Sequence, residues 1–240
     1  MKAGSVGSKL TVAAMPEKLE TRAVVVDPTR LRAALVRACA HASLDVDAVV
    51  AWIVDAAQPP GATPIAYLHP YGAVREDTVR VFRAVGAARA AVYEGTGHRL
   101  ALWRRLPNLP EAALGPIVRH ELAHAARWER SGTRFYEADE RLRSAVAGAD
   151  AYVQLPTERE ANAAAGAFAR AELSDAELAQ LAAVPALAEL LEAEPALDVV
   201  GDTLALVGGV VDVAPAELAP RTGGLVVEVV TPEPASAGMP

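Results

Sequence analysis

Residues 117–124 read Ile-Val-Arg-His-Glu-Leu-Ala-His, and the last five make the pattern H-E-x-x-H. Two histidines four apart on a helix, His120 and His124, point the same way and can share one metal ion. Glu121 between them can act as a general base, taking a proton from metal-held water. Imidazole nitrogen suits zinc, so Zn2+ is the expected cofactor, and a tetrahedral site with room for water needs one more protein ligand. Ile117, Val118, Leu122, Ala123 and Ala125 around the pattern suit a buried, core-facing helix. The plain alternative is two satisfied histidines on an ordinary helix. A buried His-Glu-His cluster with no metal, however, leaves polar groups to satisfy.

The third ligand must come from elsewhere. The chain has no further Cys-His cluster, and the best segment is Pro156-Thr157-Glu158-Arg159-Glu160-Ala161-Asn162, which begins a helix reaching about Leu173. Thr157 and Glu160 stand in capping-box spacing, which gives Glu160 a local task, accepting the backbone N–H of Thr157. Glu158 is then left to face the metal. Asn162, one turn further on, falls on the same face and is expected to orient a ligand histidine. Ala161, Ala165 and Gly166 are small enough to let this helix approach the His120 helix. A peptidase would also need an electrophile for the oxyanion. Tyr152, a few residues before Glu158, is the catalytic candidate, with Tyr136 and His98 as alternatives. Trp128, one turn beyond His124, reads as core. His41 and His69 read as unrelated to the metal, and Arg99, Arg104, Arg105, Arg141 and Arg143 as solvated faces.

Working outward, Arg22 to Val26 is a short β-rich run. Asp27-Pro28 reads as an N-cap with proline at the first helical position, opening a helix to about Leu44. A second helix is expected over about Val46 to Ala57, ending at Pro59-Pro60-Gly61. Pro64 to His69 is a candidate strand, and Glu76 to Ala90 has helical spacing. Ala91 to Tyr93 and Arg99 to Arg104 read as the arms of a β-hairpin. Beyond the motif helix, Glu129 to Ala151 is polar, with weak helical character near Glu137 to Val146. Ser174 with Glu177 is a capping box for a following helix. Residues 198–230 carry β-rich runs broken by Gly208-Gly209 and Gly223-Gly224, and are expected to form a small β appendage.

The two motifs together, H-E-L-A-H and E-R-E-A-N some thirty residues later, resemble the gluzincins, whose second motif has the form E-x-x-A-[D/N]. By pattern the chain is most similar to the minigluzincins and to the ImmA/IrrE-like and HtpX-like metallopeptidases. The resemblance covers roughly residues 27–173. It implies that His120, His124 and Glu158 bind zinc and that Glu121 is the general base. It also implies the order backing helix, sheet with hairpin, active-site helix, glutamate helix, which the residue-level reading of 27–173 also gives. HtpX-like enzymes have membrane helices, and no apolar run here is long enough to cross a bilayer.

Of 240 residues, 52% are hydrophobic, 5% aromatic and 22% charged, a globular composition whose core must be built from Ala, Val and Leu. A net charge of −7 argues against general nucleic-acid binding, which needs a basic face. Cys39 is the single cysteine, so no intramolecular disulfide can form, and the N-terminus lacks a signal-like apolar region. The expectation is a cytoplasmic protein with no membrane partner. The fold class is α+β and zincin-like: a small twisted sheet on backing, active-site and glutamate helices. A flexible tail over residues 1–20, a metallopeptidase domain over 21–173, a helix plus β appendage over 174–231 and a disordered tail over 232–240 make up the chain. The expected function is peptide-bond hydrolysis by zinc-bound water activated by Glu121, on a peptide or protein substrate. The alternative is a non-proteolytic zinc-bound sensing or protein-binding module. The appendage is expected to cover the cleft or to form a homodimer contact.

Overall fold

The computed structural model describes residues 24–57, 66–69, 98–106, 109–146, 149–195, 198–208 and 224–230. The helix expected over 76–90, the first hairpin arm at 91–93 and both expected tails lie outside the described residues.

After a two-residue strand β1 (Val24–Val25), Asp27 accepts from the N–H groups of Thr29 and Arg30 at 2.9 and 3.0 Å and so caps helix α1 (Pro28–Ala42). Pro28 costs this helix nothing at its first position, where the missing N–H would have had no partner. Leu31, Ala34, Leu35, Ala38 and Cys39 form its buried stripe.

The next segment departs from the sequence expectation. Only Val46–Ala48 is helical, as a short 3-10 turn, and Val49–Ala57 is strand β2. Val49, Ala51 and Ile53 face the main core, while Val50, Trp52 and Val54 face a second apolar cluster on the other side of the sheet. A strand buried on both faces has no polar alternation, so its continuous apolar run mimics a buried helix.

Strands β3 (Ala66–His69) and β4 (His98–Leu106) follow. β4 pairs in parallel with β2, from Val49 opposite His98 to Val54 opposite Trp103. Its other edge is shared by β3, antiparallel along Arg99–Leu102, and β1, antiparallel at Arg105 and Leu106.

The motif lies on a long helix, α2 (Leu114–Ala145), broken at Gly132. Gly132 has φ 76° and ψ 178°, a combination essentially restricted to glycine. The stretch expected to be weakly helical is therefore a well-formed second limb of α2, turned back against the first. Leu114, Ile117, Val118, Leu122, Ala125 and Ala126 of the first limb enter the main core beneath the sheet.

Helices α3 (Ala149–Val153), α4 (Pro156–Glu172), α5 (Asp175–Ala182), α6 (Pro185–Glu192) and α7 (Val199–Val207) come next, then strand β5 (Val226–Val230). The Ser174–Glu177 capping box is formed with both reciprocal bonds. The described parts of residues 198–230 are not a separate β appendage, and residues 209–223 lie outside the described residues. Val199–Val207 is helical, with Asp198 as its cap, and β5 pairs in parallel with β2 from Val50–Val226 to Val54–Val230. β2 is rich in β-branched residues and needs a second neighbour, and the β-rich C-terminal run supplies it. The fold is mixed α+β around one sheet. No helix among the described residues is long and apolar enough to cross a membrane.

Candidate metal centre

His120 and His124 lie on the face of α2 opposite Val118, Leu122 and Ala125, whose side chains are buried in the core. One turn apart, their rings stand edge to face with centroids 5.1 Å apart, and their Nε2 atoms are 3.4 Å apart. α4 packs across this face and brings Glu158, in its first turn, against both rings. Glu158 Oε2 lies 3.3 Å from His120 Nε2 and Oε1 lies 3.4 Å from His124 Nε2. One ligand atom from each of the three residues falls within 4.8 Å of the others. Two imidazole nitrogens and a carboxylate oxygen, converging from two rigid helices, form a donor set that can hold a metal ion.

Glu158 reaches this place for a reason other than the one the spacing suggested. Thr157 is not the N-cap of α4. Leu155 is, without a side-chain cap, and Pro156 takes the first helical position. Glu160 turns instead to α2, where Arg127 holds it through Nε at 2.8 Å and through Nη2, and Arg130 Nη2 lies 3.1 Å away. Charge-assisted bonds to two guanidinium groups outweigh a single backbone N–H. Thr157, freed from capping, donates from Oγ1 to the buried Asp139 Oδ1 at 2.6 Å.

Arg143, which reads as a solvated residue in the sequence, belongs to the centre. Its Nε donates to Asp139 Oδ2, its Nη1 to Glu158 Oε1 and the Tyr152 hydroxyl, and its Nη2 to Thr157 Oγ1 at 3.0 Å. Nη2 also stands 3.4 Å from His124 Nδ1. The only sequence signal was the i, i+4 spacing of Asp139 and Arg143, which fixes a pair but not the face it serves. The reversal at Gly132 brings them here. Arg143 follows His124 by 19 residues, which on a straight helix would be about 28 Å.

Burial pushes His124 down, to about 3, with Arg143 and His120 adding to it against the pull of Glu158. Burial lowers His120 too, but its bond to Glu158 and the charges of Glu121 and Glu158 outweigh that and raise it. Burial alone would raise the Glu158 carboxyl, yet His124, the bond from His120 and the charge of Arg143 hold it well below the usual carboxylate range. Arg143 is itself desolvated, but Asp139 and Glu158 more than compensate and keep it charged. A metal ion needs both imidazoles unprotonated. Burial favours the neutral form of His124, while Glu158 favours the protonated form of His120, so a metal ion competes with a proton chiefly at His120.

Compared with family models, curated proteins and solved structures, the chain finds no match in any of the three.

The other sequence candidates are distributed as follows. Glu121 is partly buried, and its charge acts on both His120 and Tyr152, which places it beside the centre. Tyr152 is joined to the centre by Arg143, which bonds its hydroxyl and lies 5.4 Å over its ring. Asn162 is not on the histidines. It lines a separate cleft of about 290 Å³ with Arg159, Glu189, Glu192 and Glu194, and among the described residues no hydrogen bond joins it to His120 or His124. At one turn past Glu158 it has rotated about 40° away from the ligand face. His98 is buried and bonded to Glu129 Oε1 at 2.9 Å, with Trp128 edge-on to its ring. Glu129 is nine residues from His120, about 180° round α2, so His98 serves the core side. Tyr136 is partly buried and shares one helical face with Asp139 and Arg143. His41 accepts from Arg119 Nε at 3.1 Å and packs edge-on to Phe168, away from the centre.

Proposed function

We propose that this chain is a zinc-dependent peptidase with a zincin-like architecture. The observation that carries the reading is the convergence of His120, His124 and Glu158 from two helices, with Glu121 one position along from the first histidine. The element order supports it as well. α1 backs a mixed sheet whose edge strand β3 is antiparallel to its neighbour, and the motif helix and the glutamate helix follow in sequence.

His120, His124 and Glu158 would hold the zinc, which when bound supplies a Lewis acid that polarises a substrate carbonyl and acidifies water. Glu121 is the general base: its carboxylate takes the proton that water gives up on attacking the peptide carbon, and returns it to the leaving amine. Tyr152, held by Arg143 through its hydroxyl, is the donor beside the centre for the oxygen that gains negative charge. The Tyr152 hydroxyl is kept protonated, because burial and the neighbouring Glu158 raise it against the opposing charge of Arg143. A protonated phenol can donate to an oxyanion, whereas a phenolate cannot. The substrate is a peptide or an unfolded protein segment.

A peptide-library digest with wild type and Glu121→Gln, with metal content measured in both, tests the reading. Glutamine keeps the size of the side chain but cannot take a proton. The variant should retain one equivalent of zinc and lose about two to four orders of magnitude in rate. Equal rates for the two proteins would make the chain a metal-bound binding module instead.

A further inference from the structure

We infer that Arg143 is the positioning residue of the metal centre: it holds Glu158 by one oxygen so that the other is presented to the ion. The inference rests on the metal reading above and deepens it. Four N–H groups of the guanidinium have acceptors: Nε meets Asp139 Oδ2, the two on Nη1 meet Glu158 Oε1 and the Tyr152 hydroxyl, and one on Nη2 meets Thr157 Oγ1, while Nη2 stands 3.4 Å from His124 Nδ1. Such a fork has no torsional freedom left. Asp139 is itself fixed, 4% exposed and bonded at its second oxygen by Thr157. Because Thr157 precedes Glu158 on α4, the network grips the ligand from its own backbone as well as from its carboxylate.

The consequence is specific. Glu158 Oε1 is engaged by Arg143, which leaves Oε2, 3.3 Å from His120 Nε2, as the oxygen that Arg143 does not hold. A carboxylate held at one oxygen by a guanidinium is biased toward binding a metal through the other. Released, it can swing to offer both oxygens, or turn away from the histidines. Partners of this kind, behind a ligand, commonly change metal affinity by about 10–100-fold. The net charge of the centre does not drive the effect, because Asp139 offsets Arg143.

Two charge-conserving changes isolate the positioning role. Arg143→Lys keeps the cation and its Asp139 partner but loses the fork, since a single ammonium cannot reach four sites. The double variant Arg143→Gln/Asp139→Asn removes one cation and one anion together. Apo protein is titrated with Co2+, and the visible d–d band and the dissociation constant are read, with circular dichroism of the apo forms as the check on folding. Wild type should bind one equivalent. Both variants should bind about 10–100-fold more weakly, with a shifted d–d band that reports altered coordination by Glu158. A packing role alone would change neither the band shape nor the affinity of a variant that still folds. Wild-type binding with unchanged constants and bands in both variants would overturn the role of Arg143. Absence of Co2+ binding by wild type would overturn the metal reading itself, and the inference with it.

Discussion

At the scale of single residues, Glu158 and Glu160 separate by what surrounds them. Glu158 is enclosed by two imidazoles and a guanidinium, while Glu160 ties α4 to α2 through Arg127 and Arg130. Glu158→Ala should abolish tight metal binding. Glu160→Ala should leave binding intact and lower the unfolding free energy by about 1–3 kcal/mol, the usual range for a partly buried charge-assisted bond. Metal titration and denaturant melts on the two proteins check this, and the reverse ranking would refute it. The sequence made the His120, Glu121 and His124 constellation legible because helical periodicity alone joins i and i+4. It singled out Glu158 through a capping argument the fold does not use, so the residue was found for the wrong reason. Arg143 was not legible, because its place depends on a chain reversal that no local spacing encodes. Cys39 illustrates the opposite case, a residue whose role the sequence reads directly. It is buried in the α1 stripe, and burial, reinforced by Asp45 against the opposing charge of Arg119, pushes its thiol up to about 12. The free thiol ionises near 8.5. Since the folded value is the higher, the thiol favours folding fully below about pH 8.5 and loses that contribution as pH rises toward 12. At pH 8 a thiol reagent should label no cysteine in the native protein and one per chain after unfolding; full labelling of the native form would contradict the burial.

At the scale of elements, the kink of α2 is the device that assembles the centre. Gly132 holds a positive φ with extended ψ, and a side chain there would add about 1–3 kcal/mol of backbone strain. Gly132→Ala should therefore lower the melting temperature, and it should also weaken metal binding, because Asp139 and Arg143 reach Glu158 only if the second limb folds back. Calorimetry and metal titration on one variant read both effects. A loss of stability with unchanged affinity would mean that the limb finds its place without the kink. Elements with a single buried stripe, α1 and α4, were readable from periodicity and caps. β2 was not, since burial on both faces erases the polar alternation that marks a strand. The same ambiguity hid β5, whose partner lies some 170 residues away in the chain. Gly166 adds a smaller lesson. Its expected role was to admit the His120 helix, yet a Cβ there would meet the Leu190 carbonyl oxygen at 2.4 Å, so its smallness serves the packing of α6 on α4.

At the scale of the whole molecule, the distribution of the core decides how the C-terminal third relates to the metal centre. A sequence divided at Leu173 suggests a catalytic domain with an appendage that either covers the cleft or completes the core, and the sheet favours the second, since β5 joins it. β5 pairs with β2 across five residues, and Arg32 of α1 donates to the Leu225 carbonyl at 3.2 Å. Leu181 and Leu187 sit in the same core as the first limb of α2, and Leu190 and Val199 are buried as well. Burying four such side chains is worth about 1.5–3 kcal/mol each, so their loss alone approaches the roughly 5–15 kcal/mol that keeps a domain folded. Removal of β5 would also strip β2 of one neighbour and expose the edge of a strand built from Val, Trp and Ile, a surface prone to pairing with other chains. A truncation ending at Leu173 should accordingly fail to fold or should aggregate, and so should bind no metal. It should not behave as a liberated enzyme. Solubility, circular dichroism and metal content of the truncated chain measure this together. A monomeric, cooperatively melting fragment that keeps its metal would show that the centre stands on α1, α2, α4 and the remaining strands alone, and that the C-terminal helices with β5 are a cover and not a wall of the core.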